Sequence, residues 1–432
     1  MNQQPPSTLE VSHLPGNTSH GTAFIPVQMS ASGELNLGPY QAKDAYMKQL
    51  QELRQTKETL EKAGYVMQAL AEDNLAQKRK CSRCHKFIFK KTFQRNSNWR
   101  PKPGSDLVGN PETRRKPSSS ALNGPPAAVP GKSFSAKTSS AEASTQECKY
   151  HDGTFNGRMW SCCKAGMYTP PCKASAQHIT AEYKPGELEA LYEYHITPAA
   201  PPSKSHCLAV AIDCEMGTSI TNNSVLIRVT LIDYFTSKVL LDKLVFPDEP
   251  ILHYNTRFSG VTYAQMAKAK SRGECLYGTA AARQAIWKFV GPETIVVAHG
   301  GQNDMSSLRW IHRAIVDTFL VESLPVVQLQ KQAREKEAQE KEAQGQAEKS
   351  TGSPKERQRS SNPGQQAAKP KTKKPKGSGQ FSLKTLTRER LGRDIQMGKL
   401  GHDSVEDAIA ARDIAHWNVL NFGHGVYSIS TD

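Results

Sequence analysis

Residues 207–217 read CLAVAIDCEMG. The first eight are almost uninterrupted apolar, the pattern of a strand covered on both faces by other layers. Asp213 and Glu215 then stand two apart at its end, and a strand's period of two sends both carboxylates to one face. Side by side they repel, and a divalent cation between them is the usual remedy. The competing reading is a solvated strand end, because D-x-E also arises by chance in a chain of ordinary composition.

Working outward, 225–234 and 239–246 are rich in β-branched residues, and the short SK break between them reads as a hairpin. Residues 279–290 carry a helical pattern, 294–298 a strand, 304–312 a helix and 314–318 a short strand. Helical patterns return at 382–391 and 404–420, with Asp403 or Ser404 placed to cap the second. Between them, 331–378 hold only polar, small and charged residues. The first half, 331–349, is charge-balanced and transiently helical; the second half is basic and disordered. Upstream, PAAPPSKS at 198–205 reads as a stiff linker, within a linker segment placed at 181–206. The element order predicts an α/β domain over 207–422, a mixed sheet flanked by helices, with one long surface insertion. Residues 423–432 are a tail.

Two further strings join the first. AHGGQNDMSSL at 298–308 is a strand, a Gly-Gly turn and a helix start, with Asp304 in the first turn. A carboxylate is favoured there by the helix dipole in any case. GHDSVEDAIAAR at 401–412 places His402 before a helix and Asp407 one turn inside it; the alternative is an ordinary Ser404–Asp407 capping box. In this order, AIDCEMG, HGGQND, IVDT and GHDSVEDA resemble the DEDDh class of 3′→5′ exonucleases, and within it the eukaryotic RNA exonucleases of the REX type. The resemblance covers roughly 207–320 and 380–422 and implies an RNase H-like fold. The longer 331–378 connection departs from the family's usual one.

That resemblance implies roles. Asp213, Glu215, Asp304 and Asp407 would hold two Mg2+ (or Mn2+) ions, and His402 would be the general base. Four carboxylates can bind two such ions about 3.5–4 Å apart for in-line phosphodiester hydrolysis, and a histidine titrates near neutrality. Met216 and Gly217 match positions that line the terminal nucleotide. Asp317 in IVDT reads as structural, and His299 as a hydrogen-bonded strand-end histidine.

A second constellation lies upstream. Cys81-x2-Cys84, Cys148-x2-His151, Cys162-Cys163 and Cys172-x5-His178 supply eight ligands, enough for two tetrahedral Zn2+ sites. Little apolar material surrounds them, and coreless modules of this kind depend on metal. A redox reading of Cys81/Cys84 lacks the strand–helix unit that such motifs occupy. CKYHDG…WSCC resembles the cysteine- and histidine-rich CHORD segment and the zinc segment ahead of some REX-type nucleases; the C-x2-C opening and the long gap to Cys148 depart from it. The module spans 78–180, with a basic low-complexity insertion at about 98–145. Cys207, Cys214 and Cys275 read as reduced thiols.

The chain has 432 residues and a net charge of +15. The surplus sits in 78–137, with 15 basic and 2 acidic groups, and in 331–378, with 13 and 6. Basic segments beside neutral folded parts suit a polyanion, nucleic acid above all. Residues 1–39 read as disordered, and 40–77 as helical with Met47, Leu50, Leu53, Leu60, Met67 and Leu70 in a stripe that packs on the rest of the protein or on a partner. No run approaches the ~18 apolar residues of a membrane span. The expected function is a metal-dependent 3′→5′ exonuclease on RNA. A DNA exonuclease and an inactive zinc-module scaffold are the alternatives. PKTKKPKG at 370–377 suggests import into the nucleus, the nucleolus included.

Overall fold

The apolar strand, Ala209–Ser219, sits inside a sheet and explains how the rest is arranged. The computed structural model describes residues 28–36, 40–88, 147–199, 205–350, 378–398 and 401–421. In chain order the N-terminal elements are β1 (Gln28–Met29), β2 (Leu35–Asn36), α1 (Tyr40–Glu52), α2 (Lys57–Ala63) and α3 (Glu72–Ala76). The cysteine-rich part holds β3 (Cys148–Tyr150) and β4 (Lys173–Ser175), followed by α4 (Glu187–Leu191) and β5 (His195–Ile196). Then come β6 (Ala209–Ser219), β7 (Ser224–Asp233), β8 (Val239–Phe246), β9 (Ile251–His253), α5 (Thr256–Ser259), α6 (Tyr263–Ser271), β10 (Leu276–Tyr277) and α7 (Gly278–Ile286). The last stretch is β11 (Ile295–Ala298), α8 (Gln302–Ser307), β12 (Trp310–Ile311), β13 (Ile315–Asp317), α9 (Thr318–Ser350), α10 (Leu383–Leu391) and α11 (Ser404–Leu420).

The main sheet has the order β10-β8-β7-β6-β11-β13, with β9 added on β6. β6–β7–β8 is an antiparallel meander, and β11 and β13 run parallel to β6. This is the expected mixed sheet with helices on both faces. Alternate residues of β6 feed different cores. Val210, Ile212 and Cys214 join Ala282, Ile286, Met305 and Leu308 on one side. Ala209 and Ala211 meet Ala408, Ala415 and Val419 of α11 on the other, where small side chains let helix and sheet approach closely.

The N-terminal stripe belongs to this core. Leu50 and Leu53 lie in the α11-side cluster, and Leu60, Tyr65 and Met67 lie in the opposite one. The face considered for a partner is therefore already covered by the α/β domain. Gly64, at φ 100°, ends α2 in a left-handed cap and redirects the chain.

Several expectations are revised. Residues 28–36, inside the lead-in read as disordered, form a small hairpin: Leu35 is buried, and its N–H donates to Phe235 O at 2.8 Å. The helix read at 304–312 stops at Ser307, because Trp310 and Ile311 pair with β5 instead. The insertion at 331–378 is helical in its first part, as α9 runs to Ser350; residues 351–377 lie outside the described residues. So do 98–145 and 422–432. The stretch 251–271, left without elements in the sequence reading, contains β9, α5 and α6, the last opened by a Thr262–Gln265 capping box. Among the described residues no helix is long and apolar enough to cross a membrane.

Candidate active site and metal groups

Asp213 and Glu215 extend the Ala209–Ala211 face of β6 beyond the point where β11 stops pairing with it. Across the β6–β7 ladder, Asp213 is opposite Thr230 and Glu215 opposite Arg228, and the register shifts immediately after Glu215. These partners dock α11. The Thr230 hydroxyl lies 2.7 Å from that of Ser404, and Arg228 Nη2 lies 3.2 Å from Asp403 Oδ1. Ser404 is thus spent on the sheet, and the cap of α11 is Asp403, whose side chain accepts from the Val405 N–H at 3.1 Å. One turn on, the helix presents Asp407 to the same face.

Asp304 arrives from the other flank. β11 ends at Ala298, and the chain turns through Gly300, at φ 64°, and Gly301 into α8. A Cβ on Gly301 would come within 2.6 Å of the Ala298 side chain, so the turn needs glycine there. Against the burial that raises its pKa, the backbone N–H of Cys214 on β6 favours the ionised form of the Asp304 carboxyl. Glu215, Asp304 and Asp407 are all buried, while the His402 side chain is 44% exposed with Nδ1 3.4 Å from Asp407 Oδ2. The His402 N–H donates to Phe258 O at 2.6 Å, which pins the loop ahead of α11.

The electrostatics follow from this crowding. Burial, then the charges of Asp304, Asp407 and Glu215, push the Asp213 carboxyl well above the usual range. Burial first and neighbouring Glu215 and Asp317 next do the same to Asp304. Glu215 is pushed up to about 7, chiefly by burial, with His402 and Arg228 working the other way. The hydrogen bond to Asp407 raises His402 above its ordinary value. Hard oxygen donors gathered in this way form a negative concentration that a divalent cation would relieve.

The remaining residues take up other places. Met216 is half-buried, and its carbonyl accepts from Asn255 Nδ2 at 3.0 Å. Gly217 is buried where β9 crosses, and a Cβ would meet His253 O at 3.2 Å. Asp317 is structural: it accepts from Tyr65 Oη at 2.6 Å and from Gly300 N at 2.8 Å. His299 is bonded to Thr318 Oγ1 at 2.9 Å. Sequence reasoning missed Gln396, whose Nε2 donates to both Asp407 oxygens at 3.1 Å. No local pattern flags a single amide in a polar loop.

The eight cysteine and histidine ligands separate into two groups of four: Cys81, Cys84, Cys148 and His178, and His151, Cys162, Cys163 and Cys172. Within each group all ligand atoms lie within 4.8 Å of one another. Cys81 Sγ–Cys148 Sγ is 3.7 Å and Cys84 Sγ–His178 Nδ1 is 3.3 Å. In the second group Cys172 Sγ–Cys162 Sγ is 3.6 Å and Cys163 Sγ–His151 Nδ1 is 3.5 Å. A tetrahedron with bonds of about 2.3 Å has edges of about 3.7 Å, so both groups fit one four-coordinate ion each. Cys81 and Cys84 close the first group together with Cys148 and His178. Beside it, buried Lys80 donates to Thr221 O at 2.9 Å and to Asn223 Oδ1, fastening the module to the β6–β7 turn.

A mixed sheet carrying a strand pair of carboxylates, two helix carboxylates and a histidine is the arrangement that the sequence resemblance to exonucleases leads one to expect. Similarity to known proteins agrees with it. RNA exonuclease 3 of Candida albicans is 29% identical over 275 residues, covering 63% of this chain and 54% of that protein. RNA exonuclease 3 of Emericella nidulans is 26% identical, covering 66% and 39%. A putative exonuclease GOR of Homo sapiens is 34% identical over 183 residues, covering 40% and 25%. The resemblance to RNA exonucleases of the DEDDh type therefore holds, and the chain spans about half or less of the length of these relatives. No family model matches. The Neurospora crassa Pan2 catalytic unit overlays with a TM-score of 0.34 at 16% identity, over 54% of this chain and 30% of that one, too loosely to argue from.

Proposed function

We propose that the protein is a metal-dependent 3′→5′ exonuclease acting on RNA, releasing 5′-nucleotides in RNA processing or turnover. The observation that carries this reading is the convergence of Asp213, Glu215, Asp304 and Asp407 on one end of β6, with His402 beside Asp407. The four carboxylates would hold two Mg2+ or Mn2+ ions, which supply an acidified water and charge stabilisation at the leaving oxygen. His402 is placed at the exposed rim, where its imidazole can accept a proton from water and pass it to solvent. The Asp407 contact orients that ring. Met216 and Gly217, at the β6 bulge, would border the terminal nucleotide.

The two Cys/His groups would each hold one structural Zn2+, since a closed four-ligand site leaves no position for substrate. The basic segments would add phosphate contacts without reading sequence, and the run at 370–377 would direct the protein to the nucleus. The test is incubation of the purified protein with RNA and DNA labelled at either end. Ladders shortening from the 3′ end of RNA, dependent on Mg2+ or Mn2+ and lost in folded Asp213→Ala and Asp407→Ala, are expected. Preference for DNA, or wild-type rates in either variant, would overturn the reading. Binding without cleavage would favour the scaffold alternative.

A further inference from the structure

Between α10 and α11 the chain makes a loop that the catalytic reading has not used. Gln396 in it has φ 56°, a left-handed conformation that residues with a Cβ seldom adopt. The neighbourhood enforces it. Ile395 is buried among Leu383, Leu386, Ala410 and Ile414. The Gln396 N–H donates to Glu406 Oε2 at 2.8 Å, and its carbonyl accepts from Lys384 Nζ at 3.2 Å. What this delivers is the side-chain amide, with Nε2 3.1 Å from Oδ1 and 3.1 Å from Oδ2 of buried Asp407. Strain held at a functional site by its surroundings is a reason to ask what it positions.

Resting on the assignment of Asp407 as an ion ligand, we propose that Gln396 is a positioning residue that fixes the Asp407 carboxylate for that ion. An ionised carboxylate offers about four lone-pair sites. The amide takes one site on each oxygen, His402 Nδ1 lies 3.4 Å from Oδ2, and the remaining sites are left for coordination. Being neutral, it orients the group without cancelling its charge; a lysine at that position would repel the cation. Outer partners of this kind are typically worth about 10–100-fold in metal affinity.

The test is calorimetric titration of the full, zinc-replete chain with Mn2+, alongside kcat and KM on RNA. Gln396→Ala is the first variant. Gln396→Gly is the second, because it removes the amide while relieving the left-handed strain. Both should weaken Mn2+ binding about 10–100-fold. Both should lower kcat at limiting Mn2+ with RNA KM unchanged, and both should recover when Mn2+ is saturating, which a folding lesion would not. Mn2+ binding equal to or tighter than wild type in both variants would overturn the inference, a tighter value meaning that amide and ion compete. If Asp407→Ala itself leaves Mn2+ binding unchanged, the assignment of Asp407 falls, and the inference with it.

Discussion

Replacing Tyr65 by Phe removes one oxygen from the junction between the N-terminal segment and the sheet. The Tyr65 hydroxyl donates to Asp317 Oδ2 at 2.6 Å, and Asp317 is 1% exposed. The other carboxylate oxygen is already engaged by the Gly300 and Phe319 N–H groups at 2.8 and 3.0 Å. Burial, followed by the Asp317 charge, raises the phenol well above its ordinary value, so it stays a donor at any pH of interest. The ring remains in the Phe variant and no cavity opens. The loss is that of a hydrogen bond to a charged acceptor that water cannot replace, about 1.5–3 kcal/mol. Urea unfolding of the full chain, followed by tryptophan fluorescence to which buried Trp310 contributes, should show a midpoint lowered accordingly with an unchanged slope. A change below about 0.5 kcal/mol, the scale of an ordinary surface substitution, would refute the claim that the N-terminal segment completes this core.

Three further outcomes are expected. Burial holds His312 and His416 at about 4, below the ordinary 6.5, so both fold as neutral rings. The unfolded chain binds their protons first; stability is full above pH ~6.5 and declines toward pH 4 by up to about 3 kcal/mol per group, measurable as denaturant midpoints across that window. Elemental analysis of dialysed protein should find about two Zn per chain, falling to about one in Cys148→Ser; a wild-type value near zero would exclude the zinc reading. Deleting 355–376 should weaken RNA binding at low salt and flatten its salt dependence. Single-turnover cleavage of saturating RNA should be preserved, and lost chemistry would place that segment in the active site.

The parts legible in the sequence were those written in consecutive residues. The apolar run into Asp213 and Glu215 declares a buried strand, and the spacing of His402 and Asp407 follows from one helix start. The stripe through Leu50, Leu53 and Leu60 shows that a face is buried, but the partner of that face is a spatial fact, since Tyr65 meets Asp317 only after the chain folds back. The pairing of zinc ligands was unreadable for the same reason: the second group takes His151 from between Cys148 and His178 of the first. β9 is short, and α6 announced itself only by Thr262 and Gln265, a cap without a strong apolar period behind it. Gln396 was invisible because its meaning lies in one amide and one unusual backbone angle.

The joining of β6 to α11 also governs when this molecule becomes complete during synthesis. Asp213 leaves the ribosome well before Asp407, whose helix also covers Ala209 and Ala211 and is the last element described, Ser404–Leu420. At about 5–20 residues per second the interval between these two aspartates is on the order of 10–40 s. Throughout it the growing polypeptide has one face of its central strand uncovered and the carboxylate set unfinished. An apolar face left uncovered for that long is open to aggregation until α11 docks on it.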